Sequence, residues 1–234
     1  HGLFVAIGCV LMSGSRMRWL PGFAASTVLE QLPHCTVMMG VPTYYTRLLA
    51  SPDFTGERCA GIRLFVSGSA PLLTETFVEF QARTGHAILE RYGMSETGMN
   101  TSNPLDGERR AGTVGFPLPG VEARVVDAGG ASLPAGETGD LQVRGPNVFP
   151  GYWRMPEKTA EDFTADGFFN TGDLGQIDAD GYVYLKGRKK ELIIVGGENV
   201  YAVSSASDAV AVLDRAVSGV LSQPAGTAGC VDHQ

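Results

Sequence analysis

The sequence predicts an α/β protein, a parallel sheet flanked by helices and followed by a small β-barrel subdomain. Three observations predict it. Up to Asn103, short apolar runs alternate with helical stretches opened by Pro or Ser, the pattern of parallel strands covered on both faces. Past Asn103, Gly112, Gly115, Pro117, Pro119, Gly120, Gly129, Gly130, Pro134, Gly136 and Gly139 crowd between short alternating runs, which is antiparallel β with tight turns. Across the 234 residues, 44% hydrophobic and 18% charged content is a globular balance.

The elements follow in order. Residues 3–12 read as a buried helix, and residues 17–21 as a short strand ended by Pro21. Ser26 reads as the cap of a helix over 27–32. Residues 36–41 form a buried strand, and Pro42 opens a helix through Leu49. A strand over 62–66 precedes a helix from Pro71 to Thr84, closed by Gly85. Residues 87–89 form the next strand. Within the barrel, 121–126, 140–144 and 181–185 are strands and 156–163 a short helix. Residues 218–229 have a Gly/Ser/Pro linker composition.

Bulk properties exclude several classes. A net charge of −7 offers no basic surface for nucleic acid, so anionic ligands need a local cationic cluster. Four cysteines without CxxC or Cys/His metal spacing read as reduced thiols in a cytoplasmic protein. No apolar run reaches membrane-spanning length, and no basic stretch precedes the first one as in a signal peptide.

The chemistry concentrates in Glu90-Arg91-Tyr92-Gly93-Met94-Ser95-Glu96-Thr97. It follows an apolar run, so it reads as a loop leaving the carboxyl end of a strand, where open α/β sheets bind ligands. A hydroxyl beside a carboxylate suits a phosphate with Mg²⁺: Ser95 donates to a phosphate oxygen and Glu96 gives the metal a hard oxygen. Tyr92 offers a flat apolar face to a base. An ordinary polar turn would carry the same residues. Three further stretches bear on that choice: Ser67-Gly68-Ser69-Ala70-Pro71-Leu72 after an apolar run, Thr171-Gly172-Asp173, and Gly187-Arg188-Lys189-Lys190-Glu191 ahead of Gly196-Gly197-Glu198-Asn199-Val200-Tyr201.

In this order and spacing the four stretches resemble the adenylate-forming (AMP-binding) superfamily of acyl-CoA synthetases, luciferases and peptide-synthetase adenylation domains. The resemblance runs from His1 to Tyr201. Its finer grain, through residues 39–48, 89–94 and 100–104, is similar to malonyl-CoA synthetases. It implies an acid–thiol ligase: a carboxylate attacks the α-phosphate of ATP, then coenzyme A displaces AMP. ATP, Mg²⁺ and coenzyme A are the implied cofactor and co-substrates, and malonate the implied acid. Ser67, Gly68, Ser69, Glu90, Tyr92, Gly93, Met94, Asp173 and Arg188 match nucleotide-binding positions. Ser95 and Glu96 match the phosphate and magnesium positions. Ser95 replaces the more usual Thr, and either hydroxyl serves. Glu191 matches the hinge, where Asp is more usual. Arg47, Arg91 and His1 match positions near the acid. A second, unreacting carboxylate is costly to bury unpaired, so a malonate pocket should hold an Arg. A snorkelling surface Arg is the plain alternative.

The resemblance divides the chain into an α/β subdomain over 1–105, the barrel over 106–186, a hinge and domain start over 187–201, and a divergent, flexible tail over 202–234. It also implies an internal piece of a longer enzyme. The Gly/Ser/Thr-rich phosphate loop of the family lies before its equivalent of His1, and its catalytic Lys after the equivalent of Tyr201, where this chain has no Lys. The piece is therefore expected to be inactive alone. A synthetase for methylmalonate or another small acid, and a non-catalytic remnant, stay open.

Overall fold

The computed structural model describes residues 2–189 together with the backbone of two short strands at 192–195 and 198–201. A π-helical turn (Gly2–Ile7) runs into α1 (Gly8–Met12), and α2 (Ala25–Gln31) into a 3₁₀ turn (Leu32–His34). Then come β1 (Val37–Gly40), α3 (Pro42–Leu49), α4 (Gly56–Cys59), β2 (Leu64–Ser67), α5 (Thr74–Thr84), β3 (Leu89–Met94), β4 (Gly98–Ser102) and β5 (Phe116–Pro117). The five strands make one sheet in the order β1-β2-β3-β4-β5. Strands β1, β2 and β3 run parallel, and β3, β4 and β5 antiparallel. Strand β3 is thus where the sheet changes character.

The helices exist because their apolar residues fall on one face. In α5, Phe77, Phe80 and Thr84 are buried at helical spacing, and Gly85 ends the helix at φ 77°, a left-handed turn that glycine adopts freely. In α3, Pro42 fills the first turn, and Tyr45, Leu48 and Leu49 face inward. The core joins these to Phe54, Phe65 and Ile88. Phe80 sits edge-on to Tyr45 at 5.4 Å and to Phe65 at 4.9 Å between ring centres. Tyr45 keeps its hydroxyl satisfied by donating to the Val66 carbonyl at 2.6 Å.

The second half holds β6 (Glu122–Val126), β7 (Thr138–Arg144), α6 (Pro156–Asp162), β8 (Phe169–Ile177) and β9 (Val183–Arg188). These strands form an antiparallel sheet in the order β6-β7-β8-β9. It packs on Tyr92 and Val114 through Val125, Leu141 and Val183. Val114 N–H donates to Val183 O at 2.9 Å, and Val183 N–H donates to Gly115 O at 2.8 Å. The two sheets are therefore joined by main chain as well as by side chains. Strands β10 (Leu192–Val195) and β11 (Glu198–Tyr201) form a separate antiparallel pair.

Several expectations need correction. Among the described residues the four strands of the second sheet do not close: β6 and β9 are its two edges, and an open sheet stands where a barrel was expected. The outer edge of β6 is taken by its own following turn, where Leu133 N–H donates to Val125 O and Asp127 N–H to Ala131 O. Alternating sequence fixes the buried face of a strand, not closure. The first helix is not buried, since Leu11 and Met12 are 73% and 90% exposed. Residues 17–20 form no strand, and Trp19 lies exposed. Ser26 lies inside α2, whose cap is Ala24. Helix α5 starts at Thr74, because the residue before it, Leu73, is extended at φ −65° and ψ 140°. Among the described residues no helix is long and apolar enough to cross a membrane.

Candidate functional site

Residues Glu90–Met94 are strand β3 itself, not a loop beyond it, and Ser95, Glu96 and Thr97 form the turn into β4. The sequence misleads because Gly93 suggests a turn. Gly93 instead lets two strands touch: a Cβ there would lie 2.0 Å from Gly98 O, and the register slips between Tyr92 and Gly93.

Glu90 pairs in register with Ser67 across the parallel β2–β3 edge. Its carboxyl is 4% exposed, and Oε1 accepts the Leu72 N–H at 3.0 Å. That bond ties the loop after β2 to β3. Burial pushes the carboxyl up to about 7, against the Leu72 bond. Ser67 is fully buried and Gly68 is buried, while Ser69 is exposed with a left-handed φ of 70°. Arg91 is half-buried, with Nη2 3.5 Å from Met39 Sδ at the carboxyl end of β1. Burial lowers its guanidinium from the ordinary value, and Cys9 and Tyr45 act against that.

Across the sheets, Tyr92 Oη donates to Asp173 Oδ2 at 2.5 Å. Asp173 is 7% exposed, lies opposite Arg188 in the β8–β9 ladder, and meets Arg188 Nε at 3.4 Å through Oδ1. Its own N–H donates to Thr171 Oγ1 at 3.1 Å. Thr171-Gly172-Asp173 has turn chemistry but sits within β8, with Gly172 at φ 73°. Burial pushes the Tyr92 phenol well up, and the Asp173 carboxylate adds to it. The Tyr92 ring is 8% exposed. A buried carboxylate that accepts from a phenol and meets an exposed guanidinium has the acceptor chemistry that suits a sugar's hydroxyls.

Sequence reasoning passed over Asn147. It lies after β7, and its Nδ2 donates to Thr97 O at 2.7 Å, to Met99 O at 3.1 Å and to Asn100 Oδ1 at 3.0 Å. Two residues on, Phe149 N–H donates to Glu96 O at 2.8 Å. The available signal is Gly145-Pro146-Asn147, an amide directly after two turn formers.

The remaining candidates are scattered. Arg47 is exposed on α3, its guanidinium 5.8 Å from the Phe23 ring centre. His1 and Glu191 lie outside the described residues. A cavity of about 400 Å³ beside β1, lined by Phe23, Leu32, Met38 and Tyr44 among others, holds none of the candidate nucleotide residues. For a metal, the turn offers the single carboxylate of Glu96, and among the described residues no three His, Cys, Asp or Glu side chains cluster. That donor set fits Mg²⁺, which keeps several waters and binds one or two carboxylates plus substrate phosphates.

A sheet that switches from parallel to antiparallel on β3, with a hydroxyl–carboxylate turn at the end of that strand and the buried Asp173 bonded to its Tyr92, defines an α/β protein with a candidate ligand site at a strand end. Residues 1–153 match the AMP-binding enzyme family. The chain belongs to that family. It is 40% identical over 224 residues to the malonate–CoA ligase of Arabidopsis thaliana, covering 87% of this chain and 36% of that one. The crystal structure of ATP-bound MatB from Rhodopseudomonas palustris superposes with a TM-score of 0.84 at 58% identity, over 86% of this chain and 40% of MatB. A malonyl-CoA ligase in complex with methylmalonyl-CoA and AMP superposes at 0.74 with 46% identity, over 86% of this chain and 45% of that one. The chain thus spans about two fifths of the length of the relatives it matches.

Proposed function

We propose that this chain supplies the nucleotide and acid contacts of an ATP-dependent, AMP-forming ligase that joins malonate to coenzyme A. The reading rests on one juxtaposition, the Tyr92–Asp173–Arg188 cluster beside the Ser95–Glu96 turn. Relatives named as malonate–CoA ligases support it. In the first half-reaction a malonate oxygen forms a bond to the α-phosphorus, and the bond to the bridging oxygen breaks, releasing pyrophosphate. In the second, the sulfur of coenzyme A takes the acyl carbon and AMP leaves.

Each residue has a part in this. Asp173 accepts the ribose hydroxyls, and Arg188 offsets the charge near them. Residues Ser67, Gly68 and Ser69, with Glu90, Tyr92, Gly93 and Met94, wall the base and acyl site. Ser95 donates to a phosphate oxygen. Glu96 would hold Mg²⁺, which when bound neutralises charge on the phosphates. Arg91, with Arg47 and His1, pairs the carboxylate of malonate that does not react. Glu191 is the hinge between the half-reactions. The family's phosphate loop and Lys complete the machine, so the chain alone is expected not to turn over.

The test is pyrophosphate release by the whole protein with ATP, Mg²⁺ and malonate or acetate. Losing one partner of a buried charge pair costs about 2–5 kcal/mol, so Arg91→Ala should lower kcat/KM for malonate by roughly 30-fold or more. Preference for acetate, or unchanged malonate use in Arg91→Ala, overturns the substrate. Methylmalonate is the second acid to test, since a related ligase has been seen with methylmalonyl-CoA.

A further inference from the structure

The Ser95–Glu96–Thr97 turn is short and sits at the tip of a two-stranded projection, so its own hydrogen bonds do little to fix it. Within the turn, Thr97 N–H reaches Met94 O only at 3.2 Å. What fixes it comes from the other sheet. Asn147 Nδ2 faces the carbonyls of Thr97 and Met99 and the side-chain oxygen of Asn100, and Phe149 N–H holds the Glu96 carbonyl. Three acceptors around one amide nitrogen leave a single orientation for the side chain, because a carboxamide oxygen in that place would face oxygens. Room for the amide is made by Gly145: a Cβ there would lie 2.6 Å from Asn147 Oδ1 and 2.8 Å from Gly120 O.

The cluster is not arranged for stability alone. Thr97 Oγ1 and Asn100 Nδ2 belong to fully buried residues and have no hydrogen-bond partner among the described residues. Buried polar groups left so are costly and call for another reason for their placement. The geometry supplies one. Asn147 and Phe149 follow β7, and β7 pairs with β8, which carries Asp173. One sheet therefore grips both ends of the candidate nucleotide site, Asp173 directly and the Ser95–Glu96 turn through Asn147.

We infer that Asn147 is a positioning residue that fixes the Ser95–Glu96 turn at a set distance from Asp173, so that the phosphates and their magnesium meet Glu96 while the ribose stays on Asp173. The inference deepens the nucleotide reading above and rests on it. It touches no substrate itself.

The test uses Asn147→Ala and Asn147→Asp in the whole protein. Asp keeps the size and the acceptor oxygen but loses the donor, so both variants should behave alike. Amide hydrogen exchange should speed at least tenfold over residues 95–99 while β6, β7 and β8 keep their protection. The Mg²⁺ concentration for half-maximal pyrophosphate release and the KM for ATP should rise about tenfold, with the KM for malonate unchanged. Unchanged exchange at 95–99, an Asp variant that matches the wild type, or ATP, Mg²⁺ and malonate constants moving together would each overturn the proposal. If Asn147→Ala exchanges globally, Asn147→Asp decides alone. If the wild-type protein shows no dependence on Mg²⁺ and ATP, the nucleotide reading falls. Exchange at 95–99 then settles the tie by itself: faster supports it, unchanged removes it.

Discussion

Glu90→Gln isolates the energetic cost of one buried carboxyl. Glu90 is 4% exposed and its pKa stands at about 7, raised from an ordinary 4.5 chiefly by burial. A carboxyl whose folded pKa lies above its unfolded one binds its proton more tightly when folded. Its stabilising contribution is whole below about pH 4.5 and drains away as pH rises through 7. Each pH unit in that window is worth about 1.4 kcal/mol, so the ionised group costs about 3 kcal/mol by pH 8. Gln has the same shape, keeps a carbonyl to accept from Leu72 N–H and never ionises. The two proteins should melt together near pH 5. Near pH 8 the Gln variant should be more stable by about 3 kcal/mol, a rise in Tm of roughly 6–12 °C for a chain of this size. Thermal unfolding by circular dichroism from pH 4.5 to 8.5, without ligand, measures both. Parallel curves across that range would refute the reasoning, because they would mean that Glu90 does not titrate between the two states.

Three other outcomes follow from the packing. Tyr92→Phe removes the hydroxyl that donates to Asp173 Oδ2 and should cost about 1.5–3 kcal/mol in urea unfolding, with weaker nucleotide binding by calorimetry; an unchanged midpoint would mean the bond is not formed in solution. Gly93→Ala places a methyl group against the Gly98 carbonyl, and overpacking of about 1–3 kcal/mol is a lower bound since backbone must move; the check is loss of exchange protection along β3 and β4. Phe80→Ala, at the centre of the aromatic core with Tyr45, Phe54 and Phe65, should lose about 3–5 kcal/mol, read as a lower urea midpoint.

Local chemistry was legible where one residue type has one use. Pro42 opens α3 and Gly85 closes α5 where the sequence places them, because Pro suits a first helical turn and Gly a left-handed cap. The strands at 37–40 and 64–67 follow from unbroken apolar runs. Gly93 misled because glycine serves close approach between strands as readily as turns, and a single sequence does not say which. Closure of the second sheet was not legible at all, since alternation reports faces and not partners. Asn147 escaped because two of its three acceptors are backbone carbonyls 48 and 50 residues away, and carbonyls leave no mark on side-chain patterns.

Those separations also bear on the order in which the molecule comes together. Most strand pairs here join neighbours in sequence, such as β6 with β7 and β8 with β9, and close short loops. The Tyr92–Asp173 bond closes 81 residues and the Asn147–Thr97 bond 50. Loop-closure entropy must be met before such distant contacts return anything, so each sheet can assemble while the site between them is still unmade. The contacts between the sheets are then the last the chain makes on folding and the first it loses on partial unfolding.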